Sequence, residues 1–235
     1  MIDTHCHIDM YDDPINLATK MEANKTECVA VTMLPSHYIQ GVPHLARFHS
    51  LHPSLGMHPL RVMEGKNEID TFIALAKNTE FIGEIGLDFS REGAPTKKVQ
   101  LAVLKEIVES IKVGKFVTVH SRDSAADLLQ LLEDHQVGPV CFHYFTAGIS
   151  AAKDAISSGH YLSFNRRMLK GKHKELLAVA PMDRVLVESD GPYLTKSPVT
   201  AIMDTYEMIA GHWELPIEQV ISVIAKNFSQ CRTNL

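Results

Sequence analysis

Short apolar runs separated by amphipathic stretches recur along the whole chain. The runs cover residues 1–9, 27–34, 52–59, 81–89, 116–120, 139–145, 160–164 and 185–190. They favour Val, Ile and Phe and are apolar on both faces, as expected of strands buried on both sides of a parallel sheet. Between them, residues 14–25, 36–49, 67–78, 96–112, 123–135 and 149–158 read as helices, and two more helices are expected over 199–212 and 216–225. Eight strands alternating with helices predict an α/β fold, a (β/α)8 TIM barrel. With 235 residues the chain falls a little below the ~250 typical of that fold, which predicts short loops and one domain spanning residues 1–235.

Composition narrows the class without changing the fold. Hydrophobic residues at 45% and charged residues at 22% belong to an ordinary globular enzyme. No apolar run approaches the ~18 residues of a membrane span, and the N-terminus lacks a signal-peptide layout, so the expected location is cytoplasmic, with no membrane partner. Cys6, Cys28, Cys141 and Cys231 are widely scattered, which argues against a zinc ribbon or a disulfide framework. A net charge of −5 does not advertise a nucleic-acid binder, although bound divalent cations can supply the positive charge that meets a phosphate. Thirteen histidines are more than such a chain usually holds.

In a barrel of this kind the site lies at the C-terminal ends of the strands. His5, His7, Glu84, His120, His143 and Asp190 are expected there, each at or near the end of its apolar run. His5 and His7 are two residues apart, so on a strand both imidazoles face one side. Glu84 stands inside Phe-Ile-Gly-Glu-Ile-Gly-Leu, where a carboxylate without a partner is costly. Singly, each residue also reads as a core histidine or a turn. Together, four imidazoles and two carboxylates suit two divalent ions about 3.5–4 Å apart. Arg122, two residues past His120, is the best side-chain donor to a phosphate, and Glu188, on the strand face of Asp190, reads as a support beneath the ligands. Asp3 and Asp88 are assigned the same supporting place.

The motifs Asp-Thr-His-Cys-His-Ile-Asp, Gly-Met-His-Pro, Gly-Glu-Ile-Gly-Leu-Asp-Phe, His-Ser-Arg-Asp and Glu-Ser-Asp-Gly-Pro-Tyr-Leu, in this order up to about residue 194, resemble the TatD family of deoxyribonucleases within the amidohydrolase superfamily. The resemblance implies that His5, His7 and Asp190 hold one ion, that His120 and His143 hold the second, and that Glu84 bridges them. It also implies hydrolysis of phosphodiesters, often 3′-to-5′ on single-stranded DNA, with magnesium, manganese or zinc. Asp190 and Glu84 are then the catalytic carboxylates, with Asp190 orienting or deprotonating the attacking water, and His58 faces the substrate. Tyr193, Tyr144 and Phe145 are candidates to stack a base, and Arg166 and Arg167 to meet a phosphate.

Two departures stand out. Leu60 occupies the place where many relatives carry a second histidine, and Thr195-Lys196-Ser197-Pro198 replaces an Arg- and Asn-containing substrate loop. The compact C-terminal part is similar to the TatD-like subunit of Qat anti-phage defence systems, so other defence-system proteins join single-stranded DNA as expected partners. The alternatives are a small-molecule amidohydrolase or lactonase on the same scaffold, and a partner-dependent subunit of a multi-protein complex.

Overall fold

A computed structural model describes residues 1–111 and 114–233. The strands are β1 (Ile2–Cys6), β2 (Glu27–Val31), β3 (Leu51–Ser54), β4 (Phe81–Asp88), β5 (Phe116–Arg122), β6 (Cys141–Phe142), β7 (Tyr161–Phe164) and β8 (Val185–Val187). The helices are α1 (Pro14–Ala23), α2 (Pro35–Leu45), α3 (Val62–Gly65), α4 (Ile69–Ala76), α5 (Lys97–Ser110), α6 (Ala125–Asp134), α7 (Ile149–Ser157), α8 (Arg166–Lys170), α9 (Glu175–Val179), α10 (Pro198–Trp213) and α11 (Ile217–Thr233). Local chemistry starts these helices where the sequence suggests. At α1, for example, the Asp13 carboxylate accepts from the Asn16 N–H at 2.9 Å and Pro14 opens the first turn.

All strand pairs are parallel and follow chain order, β1–β2–β3 and β4 through β8. Hydrogen bonds join the two groups at both junctions. Leu55 N–H donates to Phe81 O at 2.9 Å and Gly83 N–H to Leu55 O at 2.8 Å. On the other side, Asp190 N–H donates to His5 O at 2.9 Å and His7 N–H to Gly191 O at 2.8 Å. The strands therefore form the ring of a TIM barrel. A large core unites them with the surrounding helices through residues such as Phe72, Leu104, Leu128, Ile202 and Phe228. A smaller core of Leu17, Met21, Cys28, Leu45 and Phe48 lies under α1 and α2. Among the described residues no helix is long and apolar enough to cross a membrane.

Several expected bounds change. The strand expected over 52–59 stops at Ser54, and Gly56 crosses so close to β2 that a Cβ there would stand 1.6 Å from Thr32 O. β6 keeps two of its seven expected residues, and β8 ends at Val187 because Asp190 turns away at φ +46°. α8 and α9, five residues each, are too short to show a periodic signal in the sequence. α2 ends at Leu45 rather than at residue 49, and α11 continues to Thr233. The expected end of the helix over 96–112, Lys112, lies outside the described residues.

Candidate metal centre

Glu84 is the hub of the site. It lies in the middle of β4, not at its end as the sequence reading had it, and is 1% exposed. Gly86 makes room beside it: its φ is +139°, and a Cβ there would lie 2.1 Å from His120 O on β5. The two Glu84 oxygens face different partners. Oε2 lies 3.4 Å from His5 Nε2 and 3.3 Å from His7 Nε2. Oε1 lies 2.7 Å from His120 Nδ1, 2.7 Å from His143 Nε2 and 3.3 Å from His58 Nε2. Burial alone would raise the Glu84 pKa, but the imidazoles of His58, His143 and His120 reverse that and hold it well below the carboxylate range.

Each imidazole is steered by a second contact. His5 Nδ1 meets Thr118 Oγ1 at 3.0 Å, and its ring stacks on that of His143 with centroids 3.9 Å apart. His120 Nε2 meets Asp88 Oδ2 at 2.9 Å, which leaves Nδ1 for Glu84 or a cation. His58 differs. Its Nδ1 accepts from the Leu60 N–H at 3.1 Å, so in the neutral ring the proton sits on Nε2, and that atom is a donor rather than a metal ligand. Burial works against charge on His143, but Glu84, Glu188 and Asp190 raise its pKa to about 9; burial pushes that of His5 well down.

Asp190 comes in beside His7, Oδ1 to Nε2 4.0 Å, and burial raises its pKa. Glu188 lies behind His143: its Oε1 accepts from Tyr144 N–H at 2.9 Å and Asn165 Nδ2 at 2.8 Å, and its Oε2 from the Ser163 hydroxyl. Burial pushes the Glu188 pKa up to about 8. Asp3 Oδ1 accepts the backbone N–H groups of His5 at 3.2 Å and Ser189 at 2.9 Å, fastening the start of β1 to the segment that carries Asp190.

The donor set suits divalent cations. His5 Nε2, the atom that faces Glu84, is buried with no hydrogen-bond partner, an arrangement that is costly unless another group satisfies it. Ligand atoms of His5, His7 and Asp190, and of His5, Glu84 and His143, each fall within 4.8 Å of one another. Mixed imidazole and carboxylate ligation of this type accepts several first-row metals as well as magnesium.

The remaining sequence candidates divide. Tyr193, 53% exposed, lays its ring edge-on to His7 with centroids 5.1 Å apart, and so stands at the centre. Arg122 is exposed at the end of β5, on the strand face of Thr118 and His120. Phe145 does not serve as a base platform: it is fully buried, edge-on to Phe142. Tyr144 is half-buried and fixed through its backbone to Glu188. Arg166 is drawn to Asp204 at 2.7 Å, which occupies one of the two arginines after β7. Sequence reasoning missed Thr118, Ser163 and Asn165; a period-two reading would have found Thr118, two residues before His120 on one face.

The sequence model of the family described as "TatD related DNase" matches residues 2–232. A metal-dependent hydrolase of Buchnera aphidicola is 30% identical over 218 residues, covering 86% of this chain and 82% of its own. The human protein named deoxyribonuclease TATDN3 is 24% identical, covering 97% of this chain and 92% of its own. Among solved structures, the TatD homologue YjjV of Escherichia coli superposes with a TM-score of 0.85 at 18% identity, covering 100% of this chain and 98% of that one, which establishes the likeness of fold. With its family match, its barrel and its cluster of potential ligands, the chain belongs to the TatD related DNase family of metal-dependent hydrolases.

Proposed function

We propose that the protein is a two-metal phosphodiesterase that removes nucleotides from an end of single-stranded DNA. The observation that carries this reading is the division of Glu84: one oxygen faces His5 and His7, the other faces His120 and His143. Such a carboxylate could be shared by two ions, of which His5, His7 and Asp190 would hold one and His120 and His143 the other. When bound, such a pair supplies Lewis-acid polarisation of the phosphate and an acidified water. Asp190, whose Oδ1 lies 4.0 Å from His7 Nε2, would accept the proton of the attacking water as a carboxylate. His58 offers its Nε2–H to a phosphate oxygen, and Arg122 offers its guanidinium from the rim. The name of the human relative supports DNA as the substrate. The resemblance of the compact chain to the TatD-like subunit of Qat systems extends the proposal to anti-phage defence beside other proteins.

The test is release of nucleotides from end-labelled single-stranded DNA by metal-loaded protein. Asp190→Asn is expected to lower the rate about 10²–10⁴-fold, and His5→Ala/His7→Ala to abolish it together with bound metal. Undiminished release by Asp190→Asn would remove it from the chemistry. No release by the fully metallated wild type would remove DNA as the substrate.

A further inference from the structure

A cavity of about 600 Å³ opens next to the metal centre, within the ~300–1,000 Å³ usual for small-ligand sites. Ile8 and Met10 from the turn after β1, Met33 after β2, Ile15 of α1 and Gln40 of α2 line it, with Arg61 from the turn after His58. Tyr193 is the partition between cavity and centre. Its ring stands on His7, and its hydroxyl reaches Met10 Sδ at 3.1 Å and Met33 Sδ at 3.6 Å. The cavity thus lies beside the candidate ligands, because Ile8 directly follows His7 and Arg61 lies three residues past His58.

The wall chemistry selects the occupant. Ile8, Ile15 and two thioethers make a soft apolar slot, suited to a flat aromatic face. Gln40 brings an exposed carboxamide able to both donate and accept, which matches the edge of a heterocycle. Asp9 also lines the cavity, and its carboxylate disfavours a phosphate inside. Arg61 is tied to Glu64 at 2.7 Å through its terminal nitrogen, while its Nε is buried with no hydrogen-bond partner and remains able to donate. We infer that this cavity is the subsite for the nucleobase beside the scissile phosphate. The inference rests on the phosphodiesterase reading above and names the part of the substrate that gives it grip.

The test compares end-labelled single-stranded DNA with the same strand carrying an abasic residue at each of its last two positions in turn, using wild type, Ile15→Trp and Gln40→Ala. The wild type is expected to favour the intact strand about tenfold in kcat/KM at one of those positions. Ile15→Trp, which fills the slot, is expected to abolish the preference for the intact strand. Gln40→Ala is expected to reduce the preference and to alter the ranking of the four bases. Equal cleavage of intact and abasic strands by the wild type, or an unchanged preference in Ile15→Trp, would overturn the subsite and leave the nuclease reading standing. Failure of the wild type to cut any strand would overturn the nuclease reading instead. Binding of deoxynucleoside monophosphates by the wild type and not by Ile15→Trp, followed calorimetrically, would then still support the subsite, and its absence would overturn it.

Discussion

Asp88 exerts its effect through one atom. Its Oδ2 fixes His120 Nε2 at 2.9 Å, and its Oδ1 is itself held by the Ser90 N–H at 2.9 Å. Burial opposes its charge, yet the contacts with His120 and Ser90 bring its pKa down to about 2, so it is ionised throughout the working range. Asp88→Ala frees the His120 ring to turn, and metal affinity is expected to fall about 10–100-fold in a chelator-competition titration. Unchanged affinity would mean that β5 alone orients the ring. At this scale the sequence was most readable where a residue type is conspicuous. A histidine or a carboxylate inside an apolar run announces itself, whereas Thr118, Ser163 and Asn165 look like ordinary strand and turn residues. Their importance lies in which partner they touch, and that is fixed only by packing across the barrel.

The elements differ in how much of their own support they carry. β6 is two residues long, and part of its anchorage comes from His160, whose Nδ1 accepts the Val140 N–H at 3.2 Å just before the strand. Burial lowers the His160 pKa to about 4 from the ordinary histidine value of 6.5, against an opposing pull from Glu133. A depressed histidine stabilises the fold above the unfolded-state pKa, and this contribution is lost as pH falls from 6.5 towards 4, because the unfolded chain then binds a proton that the native chain refuses. The largest possible loss is ~3 kcal/mol. Urea unfolding at pH 7 and pH 5 is expected to show a smaller pH effect in His160→Gln than in wild type; the other histidines titrate in both proteins and cancel in the comparison. Equal slopes would refute the assignment. Strand count and order were legible because eight buried runs need no fine detail to be seen. The lengths of β3, β6 and β8 were not, since they are set by a close backbone crossing at Gly56 and by the turn at Asp190. α8 and α9 escaped because one and a half turns leave no periodicity to read.

Across the whole molecule, five imidazoles gather around one buried carboxylate, and a cation held by this cluster would couple its binding to folding. Free metal at 100 times its dissociation constant is expected to add ~2.7 kcal/mol to stability. Treatment with a chelator should therefore lower the Tm, and restoring the cation should recover it; a Tm indifferent to chelation would show that the cluster is not a cation site. The barrel itself was foreseeable, because helices and strands alternate without interruption. Which loops form the cavity beside Tyr193 was not, since Met10, Met33 and Arg61 lie far apart in sequence and meet only when β1, β2 and β3 pair side by side.

The seam of that ring is also where the proposed first ion sits. His5 and His7 belong to the first strand, Asp190 follows the last, and the hydrogen bond from Asp190 N–H to His5 O joins the two. A ribosome delivers His5 and His7 early but Asp190 only after some four-fifths of the chain. A nascent chain therefore holds an incomplete ligand set until Asp190 has emerged, and the hydrolysis proposed for this centre would have to wait for that residue.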